Sequence, residues 1–252
     1  MDYVIEAACG CDRGRVRKNN EDNFFFNGRC LEAENNGLRN PVTMRTADRE
    51  VFFAVFDGMG GEEYGEYAAF SAANSVRESV SKLENYYVRE KDFLTDIVLR
   101  ANNKVVEKAH ELQTSHMGST IAALFFSQGN VYACNVGDSR VYRLRQGVFQ
   151  QLSEDHIDHR ENGHKTKGSL TQYLGVNPEE FIVEPYIAKG ELRRGDRYLI
   201  CSDGISDMIT NLEIAGLIMN SDDPSECVTM LIDAALEKGG KDNATAILCF
   251  IK

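Results

Sequence analysis

A chain of 252 residues with 42% apolar content can bury a substantial core. Its formal charge of -11, from 39 acids against 28 bases, disfavours a nucleic-acid groove or an anionic membrane surface as partner. The first twenty residues lack an apolar core of signal-peptide length, and no window approaches the roughly eighteen apolar residues of a membrane span, so a soluble, cytoplasmic chain with no membrane contact is expected.

No linker, repeat or low-complexity stretch divides the sequence, which predicts one domain over residues 1–252. Apolar, β-branched and aromatic runs bounded by turn residues predict strands near 3–9, 22–27, 51–56, 119–127, 130–136, 139–145, 181–188, 196–202 and 244–251. Asn27-Gly28 and Asn162-Gly163 read as tight turns, and the polar stretch from Gly28 to Glu50 reads as an extra loop on one face. Helical spacing appears in two consecutive segments, first at Phe70, Ala73, Val76, Val80 and Leu83, then at Leu94, Ile97, Ala101, Val105, Ala109 and Leu112. A third helix is predicted from Asp223 as cap, with Pro224 in the first turn and Glu226 three residues after the cap, ending at Gly239-Gly240. This order does not alternate as βαβ units do. It predicts an α+β fold of antiparallel sheets with helices packed outside.

Seven cysteines at 9, 11, 30, 134, 201, 227 and 249 show no Cys-x-x-Cys pair and no clustering with histidine. They predict neither zinc nor disulfides; the thiols within strands serve as small apolar side chains.

Three acids stand where apolar runs end: Asp57 after Val51–Phe56, Asp138 after Val131–Gly137, and Asp203 after Tyr198–Ser202. A fourth, Asp242, opens the run Asn243–Ile251. An isolated Asp-Gly is ordinarily a hairpin turn. Asp57-Gly58 instead continues through Met59-Gly60-Gly61 toward a helix, and Asp203-Gly204 continues into Ile205-Ser206-Asp207-Met208-Ile209, also with helical spacing. Both acids are therefore placed at strand-to-helix junctions. Carboxylates gathered at the mouth of an apolar sheet must share cations or take up protons, and hard divalent ions are the simplest solution. The segment Asp12–Asp22 adds four bases beside acids, and an arginine there can grip a phosphoryl oxygen pair through its planar fork.

With these motifs in order, the sequence resembles the metal-dependent protein Ser/Thr phosphatases of the type 2C class, in the bacterial form. The set runs from Arg17 to Asn20-Glu21-Asp22, Phe56-Asp57-Gly58-Met59-Gly60-Gly61, Gly118-Ser119-Thr120 and Gly137-Asp138-Ser139-Arg140, then Asp155-His156, Leu170–Gly175, Cys201–Gly204 and Asp242-Asn243. The resemblance implies an αββα sandwich of two antiparallel sheets flanked by helices. It implies two Mn2+ or Mg2+ ions bridged by Asp57, with Asp203 and Asp242 on one and the Gly58 carbonyl on the other. Glu21 and Asp22 would hold coordinating waters or ligate directly, Arg17 would bind the substrate phosphate, and Asp138 with Asp203 matches a third metal position. The implied chemistry is in-line hydrolysis of phosphoserine and phosphothreonine by a metal-activated water, on phosphorylated proteins, opposing a bacterial Ser/Thr kinase, with the chain acting as a monomer.

Three departures bear on that carry-over, one of them the polar Gly28–Glu50 stretch. Met59 stands where some members have a histidine acid, and it cannot donate a proton, which leaves His156 as a candidate beside water. The span from His156 to residue 169 is shorter than the usual flap, and its His156, His159 and His164 invite a metal reading, the first two at helical spacing. A binding-only pseudophosphatase and a nuclease or small-molecule phosphoesterase are the rival readings. The full acid set argues against the first, and the acidic composition against the nuclease.

Overall fold

The computed structural model describes residues 3–59, 64–81, 89–158 and 168–252. In chain order they form β1 (Ile5–Asp12), β2 (Asp22–Phe26), β3 (Val42–Thr46), β4 (Glu50–Met59), α1 (Gly65–Val80), α2 (Glu90–Glu111), β5 (Gly118–Ser119), β6 (Ile121–Ser127), β7 (Asn130–Val136), β8 (Arg140–Arg145) and β9 (Val148–Gln151). There follow β10 (Ile157–Asp158), β11 (Ser169–Leu170), β12 (Tyr186–Glu191), β13 (Arg197–Cys201), α3 (Asp203–Ser206), α4 (Asn211–Met219), α5 (Pro224–Glu237) and β14 (Ala244–Ile251). Two large antiparallel sheets result, one ordered β3-β1-β14-β13-β8-β9, the other β12-β7-β6-β4-β2 with β5 paired to β4, and β10 and β11 form a small third.

Why the strands read as unbroken apolar runs follows from what covers them. Phe24, Phe26, Phe53, Val55 and Leu124 face Cys9, Ile200, Ile247 and Cys249 of the other sheet, forming the core between the two. Their neighbours Phe25, Phe52, Ala54 and Phe56 point the opposite way, onto Ala69, Ala72, Ala73 and Val76 of α1 and Leu94, Ile97 and Ala101 of α2. On the far side Tyr142, Leu199 and Leu248 meet Ile214 of α4 and Val228 and Leu231 of α5. Alternate residues are thus buried on both faces, so a strand gains nothing from polar alternation. The architecture is the expected αββα sandwich.

Several boundaries differ from the sequence reading. The strand expected at 181–188 starts only at Tyr186, because Pro185 cannot donate to a ladder and Asn177 closes a turn by accepting from Glu180 and Phe181 N–H groups. The 28–50 stretch is not simply a loop: Val42–Thr46 adds an edge strand to β1. The strand expected at 119–127 is broken at Thr120, whose backbone and side chain both turn to Asp57. In α1 the buried stripe is led by alanines, with Phe70 only partly buried; Leu83 lies outside the described residues. Asn27 and Gly28 form the expected turn, both with positive φ, whereas Asn162-Gly163 lies outside the described residues. All seven cysteines are free, and six of them are buried. Among the described residues no helix is long and apolar enough to cross a membrane.

Candidate metal centre

The two sheets meet at one end where the acids collect. Asp22 opens β2 directly opposite Asp57 in β4, and the next pair in register is sealed by a Gly58 N–H bond to the Glu21 carbonyl at 3.0 Å. Those residues belong to one sheet. Asp203 follows β13 and Asp242 precedes β14 in the other, where Cys201 pairs with Ala246. Asp138 lies in the crossover from β7 to β8, linking the sheets.

Hydrogen bonds hold this arrangement from beneath. Ser202 Oγ donates to Asp22 Oδ2 at 2.7 Å while accepting from Thr245 N at 3.0 Å, so one hydroxyl ties β2 to β14. Thr120 Oγ1 accepts from Asp57 N at 3.1 Å and lies 2.7 Å from Ser139 Oγ, joining the Asp57 strand to the Asp138 crossover. The Asn243 amide receives Glu21 N at 2.7 Å and donates to the carbonyls of Arg13 and Asn19, which fastens the basic N-terminal segment over the sheet end. That segment delivers Arg17, whose guanidinium meets Asp242 Oδ2 at 2.6 Å and remains 46% exposed.

Close approach is made possible by glycines. A Cβ at Gly65 would come within 2.6 Å of the Glu21 carboxylate carbon, and one at Gly58 within 2.6 Å of the Glu21 carbonyl oxygen. At Gly204 a Cβ would strike the Asn243 backbone. Tyr64, with φ 75°, swings the chain into α1 in the left-handed region, a strained entry that brings Gly65 against Glu21.

Electrostatics show what the mouth lacks. Burial, then Asp203, Asp22, Asp138 and Asp242, push the Asp57 carboxyl well above its ordinary range. Burial chiefly raises Asp22 to about 7, Asp203 and Asp242 adding to it, even though Ser202 and Thr245 pull the other way. Asp242 is raised by burial and Asp203 against the opposing pull of Arg17, and Glu21 by burial and Glu66. Asp22 Oδ1 is buried with no hydrogen-bond partner. An all-oxygen, mutually repelling donor set with an unsatisfied buried oxygen fits hard divalent cations. Among the described residues no three acidic, histidine or cysteine side chains converge closely enough to cage an ion alone. Backbone carbonyl and water would have to complete the shell of an ion held here, as Mg2+-like ions allow.

The candidate histidine is placed differently from the acids. His156 Nδ1 accepts from Gly137 N at 3.1 Å, and the His156 backbone N–H donates to the Gly137 carbonyl at 3.0 Å. Burial also lowers its pKa. The ring braces the residue before Asp138. Ile157–Asp158 is a short strand; His159 and His164, and with them the three-histidine metal reading, lie outside the described residues, as do Gly60-Gly61.

With the geometry in hand, comparisons with known proteins decide the family. A family model described as "Protein phosphatase 2C" matches residues 41–237. The chain belongs to the protein phosphatase 2C family. It is 29% identical to "Serine/threonine phosphatase stp" of Listeria innocua, over 94% of this chain and 92% of that protein. It is 30% identical to "Serine/threonine protein phosphatase PstP" of Mycobacterium tuberculosis, over 97% of this chain and 45% of that longer protein. Among solved structures, the catalytic domain of the serine/threonine protein phosphatase PstP in complex with two manganese ions superposes with a TM-score of 0.75, at 27% identity and 99% coverage of both chains.

The structure gathers Glu21, Asp22, Asp57, Asp203 and Asp242 and sets Arg17 on Asp242, a pairing the sequence reading did not include. That reading also missed the roles of Thr120, Ser139, Ser202 and Asn243, although all four lie inside the recognised motifs. For Ser139, Ser202 and Asn243 the signal was a hydroxyl or amide one residue from an acid, whereas Thr120 meets Asp57 only across strands.

Proposed function

We propose that this protein phosphatase 2C chain is a metal-dependent serine/threonine phosphatase that hydrolyses phosphoserine and phosphothreonine in proteins. The observation that carries the reading is the gathering of Asp22, Asp57, Asp203 and Asp242 from both sheets at one mouth beside Arg17, with Asp22 Oδ1 buried and unsatisfied. A pair of divalent cations bound there would supply Lewis acidity, activating water and offsetting charge on the phosphoryl oxygens.

The chain's own groups have separable tasks. Asp57, Asp203, Asp242 and the Gly58 carbonyl would hold the ions, Mn2+ or Mg2+, and Glu21 and Asp22 would orient water around them. Asp138 with Asp203 offers a place for a third ion. Arg17 pairs with Asp242 through one terminal nitrogen, and its fork is half exposed toward solvent, which suits it to take a phosphate as a second partner. His156 holds the Gly137 loop in its neutral form, and Met59 supplies no proton, so the leaving alkoxide takes its proton from water. Replacing His156 with glutamine is therefore expected to leave the pH dependence of turnover intact.

The same reading makes residues 1–252 one catalytic domain, since neither sheet alone holds the site. It makes the chain a cytoplasmic monomer opposing a Ser/Thr kinase. The test is phosphate release from a phosphothreonine peptide with Mn2+, with EDTA, and with Asp57→Asn or Asp203→Asn. Dependence on metal and on both aspartates is the expected result. Absence of hydrolysis with Mn2+ demonstrably bound would leave a binding-only module.

A further inference from the structure

The segment between β11 and β12 takes no part in the metal centre, yet it is built with care. Asn102 of α2 accepts from Gly175 N at 2.8 Å and Val176 N at 3.0 Å and donates to the Val176 carbonyl, clamping the segment to the helix. Gln172 accepts from Glu184 N at 2.8 Å and so ties its two arms together. Val183 is only 3% exposed, while Phe181, Ile182 and Tyr186 stand 45%, 68% and 37% exposed. An anchored loop that turns neighbouring apolar side chains outward is presenting a surface.

That surface is a cleft of about 470 Å³ lined by Phe181 and Ile182 together with Glu179, Glu180 and Glu184. Residues 169–186 contain those three acids and no lysine or arginine. Apolar side chains beside acids, with no base among the described lining residues, fit a partner segment that carries an apolar residue beside a basic one.

Its position relates it to the metal centre. Leu174 bridges to Ser119, which pairs with Gly58, so the start of the segment lies two strand spacings, roughly 10 Å, from the Gly58 backbone. At the other end Tyr186 pairs with Asn135, close in sequence to Asp138. An extended peptide advances about 3.3 Å per residue, so positions three to five residues from a phosphoresidue at the centre span roughly 10–17 Å.

We propose that this cleft holds the flanking residues of the substrate protein and selects a basic residue beside an apolar one, three to five positions from the phosphoserine or phosphothreonine. The proposal rests on the phosphatase reading. The test uses the Mn2+-loaded full chain with aryl phosphate and with two phosphothreonine peptides that differ only in Arg-Leu or Asp-Ser at those positions.

The expected result is a kcat/KM preference of about fivefold for the Arg-Leu peptide, carried by KM and weakened at about 1 M salt. It should fall below about twofold in the Glu179→Gln/Glu180→Gln/Glu184→Gln variant, with the aryl phosphate rate unchanged. Full aryl phosphatase activity with no peptide preference, or a preference the triple variant keeps, would overturn the cleft alone. No hydrolysis of any substrate would overturn the phosphatase reading and the cleft's role with it. A concentration-dependent dimer dissolved by Phe181→Ser/Ile182→Ser, with peptide preference intact, would assign the cleft to a second copy instead.

Discussion

Asp22 gives the best-defined sign at the scale of single residues. Its folded-state pKa of about 7 lies above the ordinary 3.8, so the metal-free folded chain retains a proton that the unfolded chain has lost between those values. The stabilisation is complete below about pH 4 and disappears as pH rises through about 7. Asp57, Asp242 and Glu21 are raised in the same direction. In EDTA the urea midpoint is therefore expected to fall between pH 5 and pH 8. Cations displace these protons, so Mn2+ binding should release more protons at pH 6 than at pH 8, measured by calorimetry in buffers of different ionisation enthalpy. Equal release at both pH values would contradict the burial assigned to these acids. The hydroxyls beneath them form a second case. Thr120→Val keeps the shape but removes the acceptor for Asp57 N and the partner of Ser139. A loss of Mn2+ affinity of about 10- to 100-fold is expected, with Thr120→Ser recovering most of it. If Thr120→Val bound Mn2+ like wild type, the hydroxyl would be packing only.

Individual elements were legible to different degrees, for identifiable reasons. The strands of the two-sided core stood out because both faces are covered and their apolar runs are unbroken, and β14 falls at the expected Ala244–Ile251. The predicted cap of α5 is also realised, since the Asp223 side chain accepts from Ser225 N and Glu226 N at 2.8 and 2.9 Å. Asp223→Ala should lower stability by about 1 kcal/mol, seen as a Tm lower by about 2–4 °C with activity unchanged. Helix α4 went unread although Thr210 and Glu213 form a complete capping box. With Leu212 84% exposed and Met219 49% exposed, apolar residues sit on its outer face too, and no clean stripe marks it. The edge strand β3 was hidden by its polar alternation, the pattern of a strand covered on one side only. Gly204 shows how an element places the site. A methyl there would strike the Asn243 backbone, so Gly204→Ala should push α3 from β14, shifting Asp203 and Asp242 together. Weaker Mn2+ binding alongside a Tm loss is expected, whereas a lower Tm with unchanged affinity would show that the strand end yields without moving the acids.

Across the whole molecule, the site's acids were legible because each ends or opens a strand. What joins them was not, because Ser202, Thr120 and Asn243 act between strands that only the fold brings together. The resulting centre sets function against stability. Five buried or half-buried aspartates, Asp22, Asp57, Asp138, Asp203 and Asp242, lie near one another in a chain of formal charge -11, so the metal-free fold carries repulsion that bound cations remove. A ligand that binds only the folded chain at about 100 times its Kd adds about 2.7 kcal/mol. For a chain of this size that corresponds to a Tm higher by about 5–10 °C in Mn2+ than in EDTA. Asp57→Asn removes the acid that faces the other four. The variant should therefore melt above wild type in EDTA and gain little from Mn2+, crossing below wild type once metal is present. If Asp57→Asn instead melted lower than wild type in both conditions, the Asp57 carboxyl would be contributing more to the fold than its charge strains it.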